Sequence, residues 1–163
     1  METNKYRVNY TKIGNEGVAI LHEMENYLVK TGLEPQLLEL VKLRASQING
    51  CAFCIDMHTK DARTRGESEQ RLYGVTAWRE TPFYNPRERA ALAWTEVVTK
   101  IGEHQVTDEL YAQATEQFTE KELVDLTLAV IAINSWNRLA ISFRSPPGSY
   151  MPKHPVAKKG LTG

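Results

Sequence analysis

The sequence lacks a charge excess. Lysine and arginine total 20, aspartate and glutamate total 20, and the formal net charge is zero. No chain-wide field therefore draws it to nucleic acid or to an anionic membrane surface. The basic residues near the C-terminus (Lys153, Lys158 and Lys159) are too few to change that. It also lacks a long apolar run. The longest, Leu126 to Ile133, contains Thr127 and falls well short of the ~18 residues a membrane span needs. The start, Met1-Glu2-Thr3-Asn4-Lys5-Tyr6-Arg7, is not followed by an apolar stretch of the roughly 7–15 residues found in secretory signals. A cytoplasmic protein that engages neither nucleic acid nor membrane is the expectation.

Cysteine is scarce, with 2 in 163 residues. Cys51 and Cys54 would close only a tiny loop, so they cannot staple distant parts of a fold. In a reducing compartment such a pair points to thiol chemistry or to metal. Low-complexity segments, long linkers and repeats are also lacking. One domain over residues 1–163 is expected, with a short N-terminal arm and an irregular C-terminal tail.

Strand patterning is missing too, and helical periodicity takes its place. The arm alternates Tyr6, Val8, Tyr10 and Ile13 with polar residues before Gly14 and Gly17, which suits a short extended segment. Ile20, Leu21, Met24, Tyr27 and Leu28 then recur at helical spacing towards Gly32. Pro35 opens a second helix that closes at Asn49-Gly50, and Cys51 begins a third that runs to about Arg65 and stops at Gly66. A short helix is expected over Glu67 to Tyr73, before an irregular stretch through Trp78, Pro82 and Tyr84. Asn85-Pro86-Arg87-Glu88 and Thr119-Glu120-Lys121-Glu122 are capping boxes, and Thr107 starts a further helix between them. The last helix, to about Phe143, is apolar on more than one face and should be buried on most sides, in part against another subunit. After Arg144, Pro146, Pro147, Gly148 and Pro155 exclude regular helix. The fold class is all-α, with about six to seven helices in an oligomer.

The chemistry sits in Cys51-Ala52-Phe53-Cys54-Ile55-Asp56-Met57-His58. On a helix, Cys51, Cys54 and His58 share a face. A helix N-terminus favours thiolate, and an imidazole one turn on can take the thiol's proton. Two adjacent thiols can carry out a cycle. One attacks an electrophilic oxygen or sulfur, the second resolves the product as a disulfide, and an external dithiol reduces it. Two rival readings remain open at this point. Both cysteines could be small buried hydrophobes beside a satisfied histidine. Zinc would need two more ligands, and His22, His104 and His154 show no ligand spacing. Nothing in these motifs calls for a cofactor.

The run from Glu39 through Ala45-Ser46-Gln47-Ile48-Asn49-Gly50-Cys51 to His58 resembles the core motif of AhpD-like alkylhydroperoxidases, within the wider carboxymuconolactone decarboxylase family. Ile133-Asn134-Ser135-Trp136-Asn137-Arg138 resembles the family's final helix. The resemblance implies an AhpD-like helical domain that assembles as homo-oligomers, often trimers or hexamers. It also implies reduction of small-molecule alkyl hydroperoxides, with electrons from a dithiol or lipoyl-type partner. By position, Cys54 matches the peroxide-attacking cysteine and Cys51 the resolving one. His58 and Glu39 match the proton relay. Phe53 stands where peroxidatic members carry a histidine, and phenylalanine cannot pass a proton. The alternative expectation is a redox-sensing or structural oligomer whose cysteines oxidise without efficient turnover. Ser46, seven residues after Glu39, could extend a polar network or let two helices approach. Trp78, Tyr84, Trp94 and Trp136 suit core and interface better than a pocket. Arg138 and Arg144 suit surface or interface pairing.

Overall fold

A computed structural model describes residues 5–152. Lys153, His154, Pro155, Lys158 and Lys159, and the first four residues, lie outside the described residues. Those described form eight α-helices and one 3₁₀ segment, with no strand among them: α1 Tyr10–Ile13, α2 Asn15–Leu28, α3 Pro35–Asn49, α4 Ala52–Thr64, α5 Glu69–Gly74, the 3₁₀ segment Val75–Glu80, α6 Pro86–Thr99, α7 Asp108–Thr115 and α8 Glu120–Phe143. The class is all-α, as the periodicity predicts.

The N-terminal arm differs from the extended segment expected. Asn9 accepts a hydrogen bond from the Lys12 amide, and the Gly14 amide donates to the Tyr10 carbonyl, which closes one helical turn. The arm packs on the body: the Arg7 amide donates to the Phe143 carbonyl at 2.9 Å, and the Tyr10 and Ser145 hydroxyls share a hydrogen bond at 3.3 Å. Both capping boxes form at their expected positions, on Asn85 with Glu88 and on Thr119 with Glu122. The irregular stretch through Trp78 is a 3₁₀ segment kinked at Ala77.

The two central helices are α3 and α8. Leu37, Leu38, Leu40, Val41, Leu43 and Ala45 are all buried on α3. One apolar cluster joins α2, α3, α6, α7 and α8 through Leu28, Val41, Trp94, Ala114 and Leu126. A second joins α3, α4, α5 and α6 with the 3₁₀ segment through Leu40, Ala62, Leu72, Leu92 and Trp78. Each fully buried leucine stabilises the fold by about 1.5–3 kcal/mol. By length and composition alone α8 is apolar enough to cross a membrane. It nevertheless carries buried Asp125, Asn134 and Asn137, each bonded to neighbouring helices, as befits a core helix. Its Val124, Ile131 and Ile141 remain exposed, so it is not buried all round.

Candidate active site

Helix α3 ends where Gly50 adopts the left-handed conformation, φ 71°. The Gly50 amide donates to the Gln47 carbonyl at 3.2 Å, and the Cys51 amide donates to the Ser46 carbonyl at 2.9 Å. These two bonds make a Schellman cap and turn the chain sharply. Cys51 then serves as N-cap of α4, its Sγ accepting from the Cys54 amide at 3.3 Å. A single residue thus finishes one helix and begins the next.

Cys51 and Cys54 are joined as a disulfide across the first turn of α4, with Cα atoms 5.3 Å apart. Each is only 1% exposed, packed with Ala45, Ile133 and Ala140 under partly buried Phe53 and Trp136. One turn further on, His58 is 5% exposed and bonds through Nδ1 to Oε2 of Glu39 at 2.9 Å. Burial alone would raise the Glu39 carboxyl. The hydrogen bond and charge of His58, with the charges of Lys42 and Arg65, outweigh burial and hold it below the ordinary carboxylate range. Glu39 is therefore ionised and accepts only, so Nδ1 carries the hydrogen and donates it, and Nε2 is the ring nitrogen that Glu39 does not engage. All four residues singled out from sequence fall on the α3–α4 pair. Nδ1 of His58 bonds to Glu39, not to a sulfur.

Three further residues converge here. Asp61, one turn beyond His58 on α4, places a carboxylate oxygen within 4.8 Å of the Glu39 and His58 ligand atoms. Tyr150 donates from its hydroxyl to both Asp61 oxygens, at 2.8 and 2.9 Å. Arg65 Nε lies 3.5 Å from Glu39. Asp61 and Arg65 carried a usable signal, since three- and seven-residue steps from His58 follow one face. Tyr150 had none. Glu39, His58 and Asp61 are also the acids and histidine close enough to share a metal ion among the described residues. Arg65, Lys42 and the Tyr150 hydroxyl already supply positive charge and hydrogen to both carboxylates, which suits an acid–base cluster. The cysteines belong to no such group, His22 packs at a tilt against Trp136 with ring centroids 5.0 Å apart, and His104 is exposed.

Ser46 joins a polar network, but one that leads away from Glu39. Its hydroxyl donates to the Lys42 carbonyl at 2.7 Å and accepts from Asn137 at 3.0 Å. Asn49 donates to both Asn137 and Asn134 at 2.8 and 3.0 Å, and Asn134 reaches Thr99 at 3.2 Å. Trp78, Tyr84 and Trp94 are core residues, while Trp136 is partly buried against the cluster that holds the cysteines. Arg138 bonds to the backbone and side chain of Asn134, and Arg144 ends α8 in the left-handed conformation.

The model of the carboxymuconolactone decarboxylase family matches residues 16–97, spanning α2 to α6 and the whole cysteine–histidine–glutamate cluster. YdfG, an uncharacterised protein of Bacillus subtilis (strain 168), is 49% identical over 136 residues, which cover 83% of this chain and 92% of that one. The crystal structure of an Agrobacterium tumefaciens protein of unknown function, described only provisionally as an antioxidant defence protein AhpD, is similar with a TM-score of 0.86. It is 44% identical and covers 90% of this chain and 100% of that one. An uncharacterised peroxidase-related protein of Ralstonia eutropha JMP134, with an alkylhydroperoxidase AhpD core, has a TM-score of 0.74 at 20% identity. It covers 83% of this chain and 72% of that one, and at this identity the likeness is one of fold alone.

Proposed function

The chain belongs to the carboxymuconolactone decarboxylase family, in its AhpD-like branch, and from that premise we propose that it is a thiol-dependent peroxidase reducing small alkyl hydroperoxides at the expense of a dithiol. The observation that carries this reading is the Cys51–Cys54 pair on the first turn of α4, with the Glu39–His58 pair one turn below. Nε2 of His58 takes the Cys54 proton. The thiolate attacks the distal peroxide oxygen: an S–O bond forms, the O–O bond breaks, and the leaving alkoxide takes a proton to become an alcohol. Cys51 then attacks the sulfenic sulfur, forming the disulfide and releasing water. A dithiol, of lipoyl type in this proposal, reduces the pair and leaves as its own disulfide. A cytoplasmic location and a homo-oligomer, trimer or hexamer, complete the proposal, with exposed Val124, Ile131 and Ile141 on α8 available for subunit contact.

Two observations favour a second reading, a redox sensor without efficient turnover. Phe53 cannot pass a proton, and both sulfurs are almost fully buried. One experiment separates the readings. Fully reduced protein receives a limiting organic hydroperoxide, free thiols are followed, and the disulfide is mapped by mass spectrometry. Dihydrolipoamide is then added over repeated cycles. Rapid Cys51–Cys54 formation with recycling supports the peroxidase. Oxidation that alters assembly without recycling supports the sensor, and no oxidation by hydroperoxide sinks the peroxidase reading.

A further inference from the structure

The sulfurs and His58 are buried, so protons need a group that reaches solvent. Glu39 is not that group, because it is 7% exposed and held ionised. Asp61 is half-buried at the edge of the cluster, and the gap of up to 4.8 Å to its ligand-atom neighbours is one that a single bridging water spans. We propose, on the basis of the peroxidase reading, that Asp61 is the outer member of a Glu39–His58–Asp61 proton relay and that Tyr150 is the residue positioning it.

The segment after α8 is built to present Tyr150. Lys60 on α4 donates to the Gly148 and Tyr150 carbonyls at 3.3 and 3.1 Å, and the Gly148 amide donates to Asp56 at 3.0 Å. These bonds involve backbone atoms of the segment, so they hold it on α4 whatever the Tyr150 hydroxyl does. That hydroxyl is then free to serve Asp61. The charged and titratable groups acting on Asp61 are Glu39 from α3, His58 and Arg65 from α4, and Tyr150. Burial raises the Asp61 carboxyl above its ordinary range, with Glu39 adding to the rise, while Tyr150, His58 and Arg65 oppose it. A raised carboxyl is a better proton acceptor from imidazolium. The proton released as Cys54 becomes thiolate passes to His58 and out through Asp61. The leaving alkoxide draws one back, so the step conserves protons.

The test measures kcat/KM for an organic hydroperoxide, with dihydrolipoamide as donor, from about pH 5 to about pH 9. Wild type is compared with Asp61→Asn, Asp61→Glu and Tyr150→Phe in the full chain. Tyr150→Phe removes only a donor to the carboxylate, so the acid limb moves to higher pH by about 0.5–1 unit. Asp61→Asn removes that limb and lowers kcat/KM roughly tenfold at neutral pH, and Asp61→Glu restores most of it. Superimposable profiles for wild type and both Tyr150→Phe and Asp61→Asn overturn the proposal. The rate of Cys51–Cys54 reduction by dithiothreitol, read over the same pH range, needs no hydroperoxide. If no chain turns over peroxide but these rates still separate with pH, the peroxidase reading falls and the role of Asp61 stands. If neither measurement separates the chains, the role of Asp61 falls.

Discussion

Glu39 and His58 stand 19 residues apart in the chain and meet at 2.9 Å across the α3–α4 turn. Their contact exists because Gly50 reverses the chain in a left-handed turn and Cys51 restarts it as a helix cap. The carboxylate engages Nδ1 and leaves Nε2 for the role proposed towards Cys54.

Cys54→Ser is expected to lower hydroperoxide turnover by at least about 10³-fold, since Cys51 is then left with no thiol partner to close the disulfide that the dithiol reduces. Cys51→Ser should stop after one turnover and leave Cys54 as a sulfenic acid or mixed disulfide. Intact-mass analysis after one equivalent of hydroperoxide distinguishes the two. Equal turnover by Cys54→Ser and wild type would remove Cys54 from the mechanism.

Replacing Glu39 with Gln keeps the size but removes the charge. Turnover should fall by about 10²-fold, and stability at neutral pH by about 1–3 kcal/mol. The pH dependence has a definite sign. The Glu39 carboxyl is lowered in the folded state, so the unfolded chain binds its proton more tightly. Its contribution is complete above the unfolded value of about 4.3 and is lost as pH falls through the lower folded value. Urea midpoints for wild type and Glu39→Gln should therefore converge on acidification. A constant gap over that window would contradict the assignment.

Gly50→Ala and Gly17→Ala make a matched pair, because a Cβ at either meets nothing within 4 Å. At Gly50 the cost is conformational, about 1–2 kcal/mol for a left-handed alanine, and the Cys51 cap should loosen with it. At Gly17, inside α2, alanine should instead stabilise by about 0.5–1 kcal/mol. Urea denaturation with unchanged m-values reads both, and equal effects of one sign would refute the contrast.

Asn137 is fully buried between α3 and α8, where it bonds to Ser46 and Asn49. Asn137→Leu keeps the branched shape but adds bulk and strips partners from both, at a cost of about 2–4 kcal/mol. Adding Ser46→Ala should recover about 1 kcal/mol, a non-additivity that a double-mutant cycle measures. Strict additivity would show that the two side chains do not work as one network.

Much of this was open to inspection in the sequence because its signals are local. The capping boxes at Asn85 and Thr119, Pro35, Gly50, and the stepping of Cys51, Cys54 and His58 along one face all depend on residues within a few positions of each other. The arm departs from its alternating pattern for an equally local reason: the Asn9 cap winds Tyr10–Ile13 into a helical turn. Glu39 could be paired with His58 only through resemblance, since helical periodicity does not say how α3 meets α4.

By itself, the sequence determined the all-α class, the helix ends and the juxtaposition of two thiols with an imidazole, because backbone hydrogen bonding and helical pitch act over a few residues. Only the tertiary structure decided that Tyr150 reaches Asp61, 89 residues away, and that Asn137 meets Ser46 across 91. Those contacts follow from how the central helices pack and where the chain returns after α8. Packing is set by the combined shape and burial of many side chains, and no short stretch of sequence encodes it.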